Sequence, residues 1–258
     1  MTAVLDRSLI SVTGPDAPKY LQSMLTNDVE RVVPGGGIYA LLLTPKARII
    51  ADLEVFGVGD GEYVLGAPVE ARDAVLNALV RSRFRSKVDL EPVDGCVGWG
   101  DSDAGRATLE TPAGPETLLD SAAPADPSPE WEIARVEAGQ PRYLHEFDGD
   151  SMPAEAGVVD RAVSFTKGCY PGQEPVARLF YRGHANRGVR GLRLAGPVDQ
   201  GAEITLAGKP VGRVTSPVDS PRFGHIALAI LRREAEDGAV LSAGGVEALA
   251  VPLPFTKS

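Results

Sequence analysis

Cysteine is nearly absent from this chain: Cys96 and Cys169 are the only two in 258 residues, and no CxxC pair occurs. A disulfide framework and a four-thiolate metal site within one chain are both excluded, and a reducing compartment is expected. Histidine is as scarce, and His145, His184 and His225 do not fall at metal-ligand spacing. With neither HExxH nor GxSxG present, a zinc hydrolase or a serine esterase has no basis in the sequence. Phosphate motifs fail too. Residues 57–62 lack the third glycine of a dinucleotide turn and Gly208-Lys209 runs into Pro210, so both read as hairpin turns. No stretch approaches the roughly 20 apolar residues of a membrane span, and Asp6 and Arg7 interrupt any signal-peptide core, so a cytoplasmic protein without membrane contact is expected. Net positive charge is lacking as well: 26 Lys and Arg face 35 Asp and Glu, a balance of -9 that rules out a surface built throughout for nucleic acid.

What the chain does have is an ordinary globular composition, 43% hydrophobic and 24% charged, over a length that suits a large core with a small appended module. An apolar run at residues 9–12 stops at Thr13-Gly14-Pro15-Asp16, a breaker that also starts a helix. Tyr20, Leu21, Met24 and Leu25 then recur at helical spacing over residues 19–26. Residues 38–43, 49–56 and 62–65 read as a β-meander, 69–80 as a helix, and 88–90 as a further strand. Residues 101–130, rich in Pro, Ala, Asp and Gly, read as a loop or a weakly structured edge. A short helix is expected at 131–138, closed by Gly139 in a left-handed cap. Beyond Arg187 short strands at 189–194, 203–206, 211–215, 225–230 and 246–251 suggest a small barrel or sandwich. The expected division is an α+β domain over 1–184 and a β-barrel domain over 185–258.

The segment that stands out runs Phe165-Thr166-Lys167-Gly168-Cys169-Tyr170-Pro171-Gly172-Gln173-Glu174 and on to Arg178. A thiol lies beside a lysine, between two glycines that let backbone amides approach a ligand, just ahead of a helix expected at 171–178. For a lone intracellular cysteine the bland alternative is a small buried apolar residue, which is how Cys96 in its apolar run is read. Around Cys169 the charge is concentrated. From Arg161 to Arg193 seven basic residues stand against Glu174, a local charge of +6 inside an acidic protein, and an anionic partner is its simplest use. For Arg187, Arg190 and Arg193 a solvated face is the competing explanation.

At these residues the chain resembles the YgfZ family, folate-binding relatives of the glycine-cleavage T-protein. The resemblance continues through Gly14-Pro15-Asp16-Ala17, residues 20–28, 39–52, 83–88 and 135–141, and Pro153-Ala154-Glu155-Ala156-Gly157. It implies an α+β, T-protein-like cloverleaf around a channel for tetrahydrofolate or a derivative, a C-terminal barrel, and a role in maintaining or assembling iron–sulfur proteins, including enzymes that modify tRNA. Carried over by position, Glu155 falls where T-protein relatives place a carboxylate on the pterin ring, and Gln173, Lys167 and Arg178 are further cofactor-binding candidates. Asp52 matches one member of an Asp-Asp pair involved in aminomethyl transfer, whereas Ala51 stands at the other position. Cys169 marks the YgfZ branch and, with Asp52, is the catalytic candidate.

Three functions follow as expectations. The first is a folate-dependent accessory factor for iron–sulfur client proteins, with Cys169 at the channel mouth; one cysteine cannot hold a cluster alone. The second is a folate-dependent aminomethyltransferase or demethylase using Asp52. The third is an RNA-binding module built on the arginines, with direct nucleic-acid contact left open.

Overall fold

Strand alternation decides how the first layer is built. The computed structural model describes residues 3–100, 102–121 and 123–256. Strands β1 (Ala3–Val4) and β2 (Arg7–Thr13) lead into helix α1 (Ala17–Met24), then β3 (Gly37–Leu43), β4 (Ile49–Gly59), β5 (Glu62–Pro68), helix α2 (Arg72–Ser82) and β6 (Asp89–Val93). All of these strands but β1 form an antiparallel sheet of order β3-β4-β5-β2-β6. On one face Ala40, Leu42, Ala51, Leu53 and Val55 are buried under Tyr20, Leu21, Met24 and Leu25 of the α1 region and Val75 and Leu79 of α2. Each large side chain buried there contributes roughly 1.5–3 kcal/mol. The other face carries Tyr39, Leu41, Asp52, Glu54 and Phe56, because residues two apart share a face and opposed residues lie together.

Onto that second face packs a sheet of order β1-β7-β9-β8, made with β7 (Cys96–Trp99), β8 (Ala107–Thr111) and β9 (Gly114–Leu119). For residues 101–130, expected as a loop or a weakly structured edge, the loop is corrected: β8 and β9 pair there, with β8 at the edge of the sheet. Neither β8 nor β9 has enough apolar residues to announce itself; each becomes a strand by pairing and by burying Leu109 and Leu118 against Leu9, Phe56 and Val64. Cys96 sits in β7 as expected, buried, its thiol donating to the Ser121 carbonyl at 3.1 Å.

Helices α3 (Pro129–Glu137), α4 (Val159–Ala162) and α5 (Gln173–Arg182) follow. Ser128 caps α3 by accepting from the Trp131 N–H, and Gly139 ends it at a φ of 69°. The barrel is closed, in the order β10-β13-β12-β11-β14-β15, from β10 (Arg187–Leu194), β11 (Glu203–Leu206), β12 (Lys209–Ser220), β13 (Gly224–Arg232), β14 (Val240–Ala243) and β15 (Val246–Val251). Strand β14 was not foreseen: four residues with a serine inside carry too little pattern. The proposed division at 184/185 falls in the connection between α5 and β10.

One buried cation fastens α3 to the barrel. Arg135 is fully buried; it donates to Glu132 from Nε at 2.8 Å and from a terminal nitrogen at 2.5 Å, to the Gln140 carbonyl at 3.1 Å, to Glu146 at 3.3 Å and to Ser216 Oγ of β12 at 2.6 Å. Ser216 in turn donates to Glu146 at 2.6 Å, so every member of the cluster is satisfied.

Candidate functional site

Polar side chains meet where the two sheets face each other. Asp52 is 2% exposed; its Oδ2 accepts from Arg7 at 2.9 Å, and its Oδ1 is buried with no hydrogen-bond partner among the described residues. Glu54, two residues along the same face of β4, lies 2.7 Å from Arg7 Nε. Tyr39 Oη and a terminal nitrogen of Arg161 are likewise buried and unpartnered, and the Arg161 guanidinium lies 4.2 Å from the centre of the Tyr39 ring. Burial raises the Tyr39 phenol, so it stays protonated. Burial works against the Arg7 charge, yet Asp52 and Glu54 outweigh it and its pKa rises. Ordinary protein interiors leave few such polar atoms unsatisfied, so their gathering here singles this centre out as the candidate site.

Glu54 and Glu116, which accepts from Gln140 at 3.2 Å, form a second feature of this centre. Burial pushes Glu54 well above the usual carboxylate range of about 4.5, with Arg7 opposing and Glu116 and Asp52 reinforcing; Glu116 is raised by burial too. Two carboxyls buried at one centre repel each other when both are ionised, which favours the protonated form of Glu54. An acid raised in the folded state binds more protons than its unfolded counterpart between the two pKa values. Stability therefore falls as pH rises upward from the ordinary carboxylate value through that window. Urea denaturation between about pH 5 and pH 8 is expected to show this decline, and Glu54→Gln to flatten it, with the variant at least as stable as wild type at neutral pH. An unchanged slope would exclude a raised Glu54 carboxyl.

Cavities approach the centre from two sides. Arg161 lines a groove of about 720 Å³ together with Gly139, Ala156 and Gly157 and with Val189 and Arg190 of β10. It also lines a cleft of about 410 Å³ that includes Tyr39 and Asn27. Arg7, which pairs with Asp52 and Glu54, lines a separate cavity of about 180 Å³.

The thiol of Cys169 is exposed, on a loop fastened at both ends. On one side Lys167 Nζ donates to the Gln22, Leu25 and Asn27 carbonyls at 2.5, 2.5 and 3.1 Å, which ties the loop to the C-terminal end of α1. On the other, Tyr170 is buried against the β3–β4 hairpin with Leu41, Leu43, Ala47 and Ile49. Gly172 has a φ of +83°, and a Cβ there would lie 2.7 Å from the Thr44 carbonyl oxygen, so only glycine brings this turn onto the hairpin. Nothing lies within 4 Å of a Cβ built on Gly168. The motif thus presents position 169 to solvent while its neighbours anchor it.

Lys167, expected as a cofactor-binding residue, is engaged by the fold itself. Its amine donates to three backbone carbonyls, and burial lowers its pKa to about 8. Glu155 accepts from the Met152 N–H at 2.9 Å and pairs with Arg187 at 3.2 Å and Arg48 at 3.8 Å. Its neighbours Ala156 and Gly157, and not Glu155 itself, line the large groove. Gln173 opens α5, half-buried, its backbone N–H donating to the Tyr170 carbonyl, and Arg178 is exposed on the same helix. The arginine-rich stretch does not form one continuous basic face: Arg161 points into the centre, Arg187 pairs with Glu155 and Arg190 with Asp237 at 3.5 Å. Alternation also explains Ala51. It faces the apolar layer beneath the helices, opposite to Asp52, so the second acid on the Asp52 face is Glu54. Glu54 was missed although its signal was there: two acids at spacing two inside an otherwise apolar strand. Tyr39, Arg7, Glu116 and Arg161 gave no such signal.

The chain matches the family described as GCVT N-terminal domain over residues 4–98 and the CAF17 C-terminal β-barrel domain over residues 186–255. It is 33% identical over 193 residues to an uncharacterized protein of Haemophilus influenzae, covering 69% of this chain and 68% of that relative. It is 29% identical over 235 residues to the tRNA-modifying protein YgfZ of Pectobacterium carotovorum, covering 76% and 70%. It is 27% identical over 299 residues to the human mitochondrial iron–sulfur cluster assembly factor IBA57, covering 96% and 82%. The glycine cleavage system aminomethyltransferase T of Bartonella henselae has the same fold: its structure superposes with a TM-score of 0.81 at 19% identity, over 98% of this chain and 85% of that one. No helix among the described residues is long and apolar enough to cross a membrane.

Proposed function

The chain belongs to the YgfZ family of T-protein relatives, and we propose on that footing that it is a tetrahydrofolate-binding accessory factor for iron–sulfur proteins, with Cys169 as its reactive or cluster-ligating group. The observation that carries the folate half is the set of buried atoms without partners. Asp52 Oδ1 is an acceptor, Arg161 a donor and Tyr39 Oη both, the set a pterin edge of N–H donors and ring acceptors requires. The groove of about 720 Å³ has the size of a site for a cofactor of this kind, and Arg161 and Arg190 on its wall suit the glutamate carboxylates of the tail. Bound there, tetrahydrofolate would supply a carrier for one-carbon groups. Asp52 would orient the ring, held in place itself by Arg7.

The iron–sulfur half rests on Cys169 and on the names carried by the relatives. Among the described residues no group of three or more His, Cys, Asp or Glu side chains is placed to hold a metal ion. Cys169 would therefore share a cluster, as cargo, with thiolates of a client or a second copy.

Titration with tetrahydrofolate tests the site. Asp52→Asn is expected to weaken binding about tenfold or more, the loss of one hydrogen bond to a charged acceptor. Tyr39→Phe, which removes one oxygen and keeps the packing, gives a second arm with a loss of several-fold. Glu155→Gln weakens binding less than Asp52→Asn, since the oxygens of Glu155 are already engaged by Arg48, Arg187 and the Met152 N–H. Equal affinity in wild type and Asp52→Asn would place the pterin elsewhere.

A further inference from the structure

Arg190 lines two cavities at once. One is the groove of about 720 Å³ assigned to the cofactor; the other is a pocket of about 210 Å³ whose wall also carries His184, Arg187, Arg232 and Arg233 and, among the described residues, no acid. The pocket lies where the chain passes from α5 into β10 and where β13 ends, and its four arginines are exposed, so it opens to solvent. Barrel pairing forces charges of one sign together. Arg187 stands directly opposite Arg232 in the β10–β13 register, an arrangement that costs stability unless an anion lies between the two. The compensation is partial. Arg187 pairs with Glu155 at 3.2 Å, an acid it shares with Arg48, and Arg190 pairs with Asp237 at 3.5 Å. Neither Arg232 nor Arg233 has an ion pair among the described residues. The groove itself uses only Arg161 and Arg190, which leaves these two cations without a task.

We infer that this pocket receives the outer carboxylates of a polyglutamylated tetrahydrofolate, so that the protein selects folates carrying several γ-linked glutamates over the monoglutamate. The inference rests on the folate reading and extends that site past Arg190. Each γ-linked residue adds one α-carboxylate along a flexible chain, and guanidinium groups are the donors that suit such carboxylates. A tail passing Arg190 meets Arg187, Arg232 and Arg233 in the pocket, and its free end can run out to solvent. Exposed guanidinium–carboxylate pairs are weak singly. Once the pterin is seated, however, the tail is tethered at the pocket, and its pairs add to the affinity without a second cost of association.

Calorimetry on the full chain, with tetrahydrofolate monoglutamate and triglutamate as probes, tests this. The triglutamate is expected to bind about tenfold more tightly at low ionic strength, with the gap closing to about twofold at about 0.5 M salt, where exposed pairs are screened. The double variant Arg232→Gln, Arg233→Gln removes the two unpaired charges and should bind both forms alike, with the monoglutamate affinity of wild type. Both side chains are exposed, and Arg233→Gln alone, which should reduce the preference by about half, stands in if the double variant does not fold. Equal affinity of wild type for the two folates, or an undiminished preference in the variants, would overturn the assignment and leave the folate site standing. Failure of the monoglutamate itself to bind would overturn the folate reading, and this inference with it. Tripolyphosphate and γ-linked triglutamate without the pterin should bind only weakly; tight binding of either to the folate-free chain would make the pocket an independent anion site and overturn the assignment too.

Discussion

Replacing Cys169 by alanine is expected to abolish support of iron–sulfur enzyme activity in a strain that lacks the wild-type protein, while leaving folate affinity and melting temperature unchanged. The side chain is exposed, so its removal leaves no buried cavity. The loop is held by Lys167, Tyr170 and Gly172, none of which depends on the sulfur. Function and stability should therefore separate cleanly at this position, which few buried residues allow. Cys169→Ser, which keeps size and polarity, should fail as alanine does, because the hydroxyl is a poor ligand and nucleophile at neutral pH. Full client-enzyme activity with either variant would remove the thiol from the mechanism, and with it the iron–sulfur half of the proposal.

Arg135→Ala is expected to destabilise the protein by about 3–5 kcal/mol, the cost of stripping a buried charge cluster of one member. Glu146, with a fully buried side chain, would keep only Ser216 and the Arg142 N–H as donors. For a chain of this length the melting temperature should fall by about 10 °C. The loss should be concentrated at the junction of α3 with β12, so limited proteolysis should release the barrel earlier than in wild type. Arg135→Lys keeps the charge but offers no planar fork, and its effect should be intermediate. A variant as stable as wild type would mean that apolar contacts between Val136, Ile226, Leu228 and Phe255 hold the junction unaided.

The helical faces and the longer strands were legible because their burial is periodic. Tyr20, Leu21 and Met24 repeat at helical spacing, and residues 49–56 alternate around a buried layer. The motif around Cys169 was equally legible, and the packing shows why each of its parts is what it is. Lys167 reaches α1, Tyr170 fills the hairpin, and Gly172 makes the turn. Strands β8 and β9 were hidden because a short polar strand becomes a strand only when a neighbour supplies its ladder. The anchoring by Lys167 was hidden for a related reason: adjacency in sequence to Cys169 says nothing about which carbonyls lie within reach of a long side chain.

By itself the amino-acid order determined the α+β class, the barrel, the family and the cysteine motif, all of which rest on local pattern. Only the tertiary structure decided which polar groups share the centre. Arg7, Tyr39, Asp52, Glu54, Glu116 and Arg161 come from distant positions, and their meeting depends on how two sheets and a short helix pack. Burial and pairing are properties of that packing; no residue carries them alone, so no reading of one segment at a time can assign them.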